Sequence, residues 1–424
     1  MSSIGRKMRI IVAGGGIGGL ITALTLHRIG FDVQVFESVP RISALGVGIN
    51  LLPHSVRVLD ELSLTNALKS TAIETEELIY FNKHGQRIWT EPRGLAAGYP
   101  WPQFSIHRGD LQMILLKATR EIIGERAVIE GHALQRFEDR GDYVECELLC
   151  RERDEVVRTE GDVLIGADGI HSTVRATFYP DEGEPLYAGR TLWRAVSDSE
   201  PFLTGRSMIM AGNEDQKFVA YPISKAEHDR GGSTTNWIAE LATPNLSPDR
   251  SDWNRAVSKS RFSHAFSNWT FDWLDVPRLI DAAEIVYEFP LIDRDPVERW
   301  SFGRVTLLGD AAHPMYPIGS NGASQAILDA HSLALAFLSQ GDAIEALKAY
   351  EDDRLSPTAN IVRLNRKNGP EQVMQLAEER SPQGFENIED VIPIAELEEI
   401  ALRYKQSAGF DLRTLQLAAE KSSA

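Results

Sequence analysis

The stretch MRIIVAGGGIGGLITALTLHRIGFDVQVFES, residues 8–38, decides how the rest of the chain is read. Met8 to Ala13 is a short apolar run suited to a buried strand, the glycines after it permit a tight turn, and Gly18 to Ile29 carries an apolar helical face. FDVQVFES then alternates as a second strand ending at Glu37. Strand, glycine turn, helix and strand open a parallel α/β sheet. Gly14, Gly16 and Gly19 stand in G-x-G-x-x-G spacing at the strand-to-helix junction. The first makes the turn, the second lets backbone approach a pyrophosphate, and the third lets helix and strand pack closely. The helix N-terminus adds unpaired N–H groups and about half a positive charge. Glu37 is placed to accept hydrogen bonds from an adenosine ribose, and an acid there suits an unphosphorylated 2′-hydroxyl, which points to FAD or NAD and away from NADP. The plain alternative is a glycine turn kept only for packing.

At 424 residues the chain exceeds a usual single domain, and its 43% hydrophobic content is enough for a large core. A net charge of -17 lacks the basic footprint that nucleic acid or an anionic membrane would require. Ile10 to Leu26 is uncharged and follows basic residues, as a secretion signal would, but its glycines break the apolar helix such a signal needs. No other segment reaches the length of a membrane span, so a cytoplasmic protein is expected. The two cysteines, Cys146 and Cys150, fall on one face of an alternating strand, too far apart along it for a disulfide. They read as packing residues of a reducing compartment. No His-x-Asp or His-x-Glu pair suggests a metal site.

Further along, HRGDLQMILLKATREII from His107 reads as a helix, and DVLIGADGIHSTVRATF as strand, glycine turn and short helix. Between about Gly189 and Glu288 the texture changes to short runs such as RTLWRAV, KFVAYPI and NWIAEL separated by polar turns, which reads as an inserted antiparallel sheet. RVTLLGDAA returns to a strand, a helix follows over Ala323 to Leu338, and the last stretch is charged and helical.

The first glycine motif, the Asp-Gly turn at Asp168–Gly169 and the Gly-Asp turn at Gly309–Asp310, with the antiparallel insertion before the last, resemble the single-component class A FAD-dependent aromatic hydroxylases of the p-hydroxybenzoate hydroxylase type. The resemblance spans roughly residues 8 to 365. GVGINL, SIHRGDLQMILL, GADGIHS and NGASQAILD are most similar to the branch that hydroxylates 5-methylphenazine-1-carboxylate, with salicylate and 6-hydroxynicotinate hydroxylases as more distant relatives. It implies an α/β fold in which a Rossmann-type FAD-binding domain (1–188 and 289–365) carries an inserted antiparallel β-sheet substrate domain (189–288) and a C-terminal helical segment (366–424).

Carried over residue by residue, the resemblance puts Gly14, Gly16, Ile17, Gly18 and Gly19 on the pyrophosphate of non-covalent FAD and Glu37 on its ribose. Val47 and Gly48 would lie against the flavin, Arg108 by the ribityl or pyrophosphate region, Leu134 on the adenine side and Asp310 on a ribityl hydroxyl. Asp168 would touch both FAD and the nicotinamide donor. Gly322 and Ala323, opening a helix, would face the flavin pyrimidine edge, where a helix N-terminus stabilises the negative charge of reduced flavin. The chain departs from many relatives at Ser43, His54 and Ser324. Arg108 and Asp110 also read as helix capping, Asp168 to Arg175 as a structural turn, and His313 as a packed loop histidine.

The implied reaction is reduction of FAD by NADH or NADPH, addition of O2 to give the flavin C4a-hydroperoxide, and hydroxylation of a small electron-rich aromatic or N-heteroaromatic substrate. Gly46 and Gly48 would let the flavin loop move. Substrate contacts are expected from Asn50, Trp193, Arg194, Tyr221, Tyr287, Met315, Tyr316 and Pro317, with Trp237 and Phe289 as further flat walls and Arg194 pairing a substrate carboxylate. A flavin dehydrogenase or oxidase, and a non-catalytic FAD-binding carrier, are the competing readings.

Overall fold

The computed structural model describes residues 7–244 and 255–423. The strands that position the site are β1 (Arg9–Ala13), β2 (Asp32–Phe36), β3 (Gly48–Leu51), β4 (Glu77–Phe81), β5 (Arg87–Pro92), β6 (Phe104–His107), β7 (Val128–Ile129), β8 (His132–Asp139), β9 (Val144–Cys150), β10 (Glu155–Gly161), β11 (Val163–Gly166), β12 (Leu186–Ser199), β13 (Ser207–Gly212), β14 (Gln216–Pro222), β15 (Ser233–Ala242), β16 (Ala256–Val257), β17 (Val286–Asp293), β18 (Ser301–Phe302) and β19 (Val305–Leu307). The helices used below are α1 (Ile17–Arg28), α2 (Pro53–Glu61), α3 (Arg108–Ile122), α4 (Thr173–Phe178), α5 (Gly322–Ser339), α6 (Ala343–Asn365), α7 (Gln372–Arg380), α8 (Ile394–Ala408) and α9 (Leu412–Ser423).

The sheet order β18-β19-β11-β1-β2-β7 puts β1 at its centre, parallel to β2 and β11. That position explains the unbroken apolar run at Ile10–Ala13, because both faces of a central parallel strand are covered. α1 covers one face and packs on α3 and α5. Its residues from Ile17 to Leu26 are almost all buried, which fits a stretch without charge until its last turn. The β10-β9-β8 meander lies beside this sheet. In β9 burial alternates, with Val144, Cys146, Leu148 and Cys150 inward. Both thiols are free, and burial pushes the Cys146 thiol up to about 12.

The second large sheet has the order β16-β17-β12-β15-β14-β13-β4-β5. It reaches beyond the 189–288 insertion expected to form it, because β4 and β5 come from far upstream and β4 joins β13 in parallel register. The sheet is buried on both faces. One face packs a cluster including Trp193, Trp237, Phe262 and Phe266, and the other packs Leu192, Met210, Tyr221 and Ile238 with residues of α7 and α8. Beside it lies the β3–β6 pair, with β6 against β14 of this sheet and β3 against α5.

Candidate active site

The three glycines of the first turn have separate structural causes. Gly14 has φ +106°, and a Cβ there would fall 2.3 Å from the Ala167 carbonyl oxygen. At Gly19 a Cβ would fall 1.9 Å from the Gly14 carbonyl oxygen. At Gly16 it would meet nothing within 4 Å, although this residue caps α1 and no side chain bonds the helix end. Packing therefore requires glycine at 14 and 19, while open space faces the free N–H groups at 16. That is the form of an anion cradle, and it fits the pyrophosphate of FAD. Gly18 packs near Leu308, and Ile17 is buried.

Glu37 stands at the end of β2 and ties the turn together. One of its carboxylate oxygens accepts the Gly15 N–H at 2.7 Å, and the other accepts the Val39 N–H at 2.8 Å and the Ser38 hydroxyl at 3.0 Å. His132 donates its N–H to the Glu37 carbonyl, which brings β8 and the buried Leu134 to the same end of the sheet. On the other flank, Gln112 of α3 donates to the Gly15 carbonyl at 2.9 Å, a contact sequence reading missed.

Asp168 is used within the chain. Its carboxylate accepts the Ser172 hydroxyl at 2.5 Å and the Thr173 N–H at 2.8 Å, capping α4. Arg175, on the helix that follows, is a buried residue rather than a surface one. It is 1% exposed, pairs with Glu182, and donates to the carbonyls of Ala311 and Ala312 at 3.1 and 2.8 Å. The Asp-Gly turn thus anchors the Gly-Asp turn. A second anchor is the buried Asp329, which accepts from the Gly309 N–H at 3.1 Å, from Arg354 at 2.9 Å and from His313. Burial works to raise the Asp329 carboxyl, but His313 and Arg354 outweigh it and hold the group below its ordinary value. His313 is therefore a packed residue that positions the turn. Asp310, by contrast, is open to solvent yet ringed by protein. The surrounding protein raises its carboxyl, against the pull of His313 and Arg108. An exposed acid on this turn can accept hydrogen bonds from a polyol chain such as ribityl.

The flavin loop packs on the start of α3. The Arg108 N–H donates to the Val47 carbonyl at 2.9 Å, a ring nitrogen of His107 lies 2.9 Å from the Gly46 carbonyl, and a Cβ on Gly109 would strike the Ala44 backbone. Gly46, at φ +117°, supplies the left-handed turn. Gly48 is also fixed by packing: its N–H donates to Asn236 at 2.7 Å, and a Cβ would lie 2.6 Å from Asn236 and 2.8 Å from Tyr221. Close approach demands glycine at 48. Val47 is buried.

Ladder register decides which sheet residues share the loop's side. Tyr287 lies opposite Arg194, Arg194 opposite Ile238, and Asn236 opposite Tyr221, and these belong to the face that carries Leu192 and Tyr221. Arg194 donates to the Gly48 carbonyl at 2.9 Å, sits 5.8 Å from the Phe289 ring centroid, and has a buried Nε without a hydrogen-bond partner. No acid within ion-pair distance of it is found among the described residues. Burial lowers its pKa, the neighbouring Arg108 adds to that, and Tyr221 opposes. Trp193 must be corrected: successive strand residues face opposite ways, so it points into the far core, where it stacks on Phe262 and donates to Glu288 at 3.0 Å. Trp237 shares that core and donates to Ser197. Asn236, which sequence reading passed over, takes the place on the loop's side, and its Nδ2 is unpartnered.

Asn50 is held between Ser105, whose hydroxyl it accepts at 2.6 Å, and Ser320 at 3.4 Å. Of the Pro314 to Pro317 turn, Tyr316 is buried, Met315 half-buried beside Gly322, and Pro317 exposed. Gly322 and Ala323 open α5, whose first turn carries no acid. Behind it Ser324 accepts the Leu52 N–H at 3.2 Å. His54 is buried and stacks on Phe410; burial, with Arg354 and Arg57, brings it down to about 3, so it is neutral.

Comparisons with known proteins bear on the family and the fold. Residues 7–365 match the family described as FAD binding domain. The chain is 45% identical, over 84% of its length and 89% of the relative's, to phenazine 1,6-dicarboxylic acid hydroxylase PhzS of Lysobacter antibioticus. It is 32% identical, over 86% and 87%, to 3-amino-4-hydroxybenzoate 2-monooxygenase of Streptomyces cremeus. Among solved structures, Klebsiella pneumoniae HpxO complexed with FAD and uric acid superposes with a TM-score of 0.74 at 23% identity, covering 95% of this chain and 96% of that one, which is a likeness of fold.

Proposed function

The chain belongs to the FAD binding domain family, and from that premise we propose that it transfers one atom of O2 to an aromatic or N-heteroaromatic ring bearing a carboxylate, with NADH or NADPH as reductant, in the cytoplasm. It is an FAD-dependent monooxygenase of the aromatic hydroxylase type. Bound FAD supplies the redox chemistry, accepting a hydride and activating oxygen. The chain's own residues bind, orient and exclude water. The Gly16 cradle and Glu37 hold the adenosine diphosphate half, Asp310 the ribityl, and the N-terminus of α5 the pyrimidine edge. The sheet face with Tyr221, Tyr287 and Phe289 offers flat walls on the loop's side.

The observation that carries the substrate class is Arg194. A guanidinium taken largely out of water without an acid partner is costly, and a substrate carboxylate would offset that cost while fixing the ring against the flavin loop. The PhzS relative acts, by its name, on a phenazine dicarboxylic acid. No helix among the described residues is long and apolar enough to cross a membrane.

The test is a panel of phenazine carboxylates, hydroxybenzoates and their decarboxylated counterparts under labelled O2. The carboxylated members are expected to stimulate NAD(P)H oxidation and to gain one labelled oxygen. Equal stimulation by the decarboxylated rings would overturn the role of Arg194, and oxidation of a substrate without label would favour a dehydrogenase.

A further inference from the structure

The turn that delivers the chain into α5 runs from Tyr316 to Asn321 and contains two consecutive left-handed residues, Gly319 at φ +68° and Ser320 at φ +55°. The second is costly for a residue with a side chain, so surrounding contacts must hold it. Asn50 reaches the Ser320 hydroxyl at 3.4 Å, and much of the remaining support comes from after residue 365, outside the span that matches the family. The Tyr404 hydroxyl of α8 lies 3.3 Å from the Ile318 carbonyl and 3.1 Å from Asn365 Oδ1. Asn365 in turn donates to the Tyr316 carbonyl at 3.1 Å. A Cβ on Gly319 would fall 2.1 Å from the Tyr404 hydroxyl oxygen, so ring and turn are fitted to each other. Glu371 accepts the Gly319 N–H at 3.3 Å with one oxygen and Lys217 at 2.6 Å with the other, and Lys217 also pairs with Glu240 of β15 at 3.0 Å. Lys217, Glu240 and Glu371 are all buried. Gln325 of α5 donates to the Ala408 carbonyl at 3.2 Å.

We propose that the C-terminal segment is a clamp on this turn, in which Tyr404 and Glu371 are positioning residues that aim the N-terminus of α5 at the flavin and so set cofactor affinity. The hydroxyl holds the carbonyl side of the turn, and the carboxylate holds its N–H side while bridging to the sheet through Lys217. The two grip both polar groups of one peptide, Ile318–Gly319, which leads into the strained pair. The clamp rests on the reading of α5 as the flavin's pyrimidine site.

The experiment uses the full chain with Tyr404→Phe, with Glu371→Gln as an independent variant, and with Tyr187→Phe as a hydroxyl deletion whose partners, Thr191 and Thr243, bond neither the turn nor its clamp. Amide exchange of residues 314–323 is measured in FAD-free protein, and FAD affinity by titration. Loss of one buried hydrogen bond is expected to speed exchange in 314–323 and to weaken FAD roughly five- to tenfold. Tyr187→Phe is expected to change neither. Folded Tyr404→Phe and Glu371→Gln proteins with unaltered exchange and affinity would overturn the clamp. Wild-type protein that took up no FAD would instead overturn the flavin reading, and the exchange rates would still decide the clamp.

Discussion

Replacing Gly16 by alanine should separate cofactor binding from folding, because the built Cβ meets no atom of the chain within 4 Å and the backbone there, φ -71° and ψ -176°, is open to any residue. In FAD-free protein two small effects oppose each other. Alanine restricts the unfolded chain, stabilising by about 0.4–1 kcal/mol, and caps a helix less well than glycine by a similar amount. The expected melting shift is no more than about 3 °C. The bound state is different. The methyl would stand between the α1 N–H groups and a pyrophosphate, and losing one charge-assisted hydrogen bond, worth about 1.5–3 kcal/mol, weakens FAD roughly 10- to 150-fold. Gly19→Ala is the contrasting variant: a Cβ 1.9 Å from the Gly14 carbonyl oxygen forces the turn apart and should abolish stable folding. Thermal melts of FAD-free protein and flavin fluorescence titrations read both quantities. Wild-type FAD affinity in Gly16→Ala, or a collapse in its stability like that of Gly19→Ala, would refute the cradle.

Arg194→Leu is expected to raise KM for carboxylated substrates about 10- to 150-fold and to leave uncharged rings little affected, as steady-state kinetics would show. Asp329→Asn should destabilise by about 3 kcal/mol, since it strips a buried partner from His313 and Arg354. Because the folded carboxyl is held below 3.8, that stabilisation is complete above the ordinary carboxyl range and fades as pH falls below it. The melting difference between wild type and variant should therefore be on the order of several degrees above the ordinary carboxyl range and shrink in acid. Both cysteines should resist a thiol reagent in native protein and react on unfolding, since each is buried and Cys146 is pushed up to about 12.

What could be read from the chain was local. The β1 turn, the capped and apolar helices, the one-sided cysteines and the return strand before Gly309 each depend on spacing within a few residues. Trp193 shows where local reading stops. Alternation says that Trp193 and Arg194 face apart, yet both faces of this sheet are buried, so no polarity pattern marks the side of the flavin loop. Asp168 was legible as an acid before a helix, but whether it caps or binds depended on Ser172 and Thr173. Asn236, Gln112, Tyr404 and Glu371 came to the site by contacts between distant segments, which carry no short-range signal.

The parallel seam between β13 and β4 limits how substrate preference can be transplanted. A graft cut at 186 and 293 from another hydroxylase would arrive without its last two partners, leaving the rim of β13 to mate with strands that evolved beside someone else's residues. A swap that also carries 77–92 would move the whole surface as a unit, and recombination between such genes should tolerate paired crossovers better than single ones.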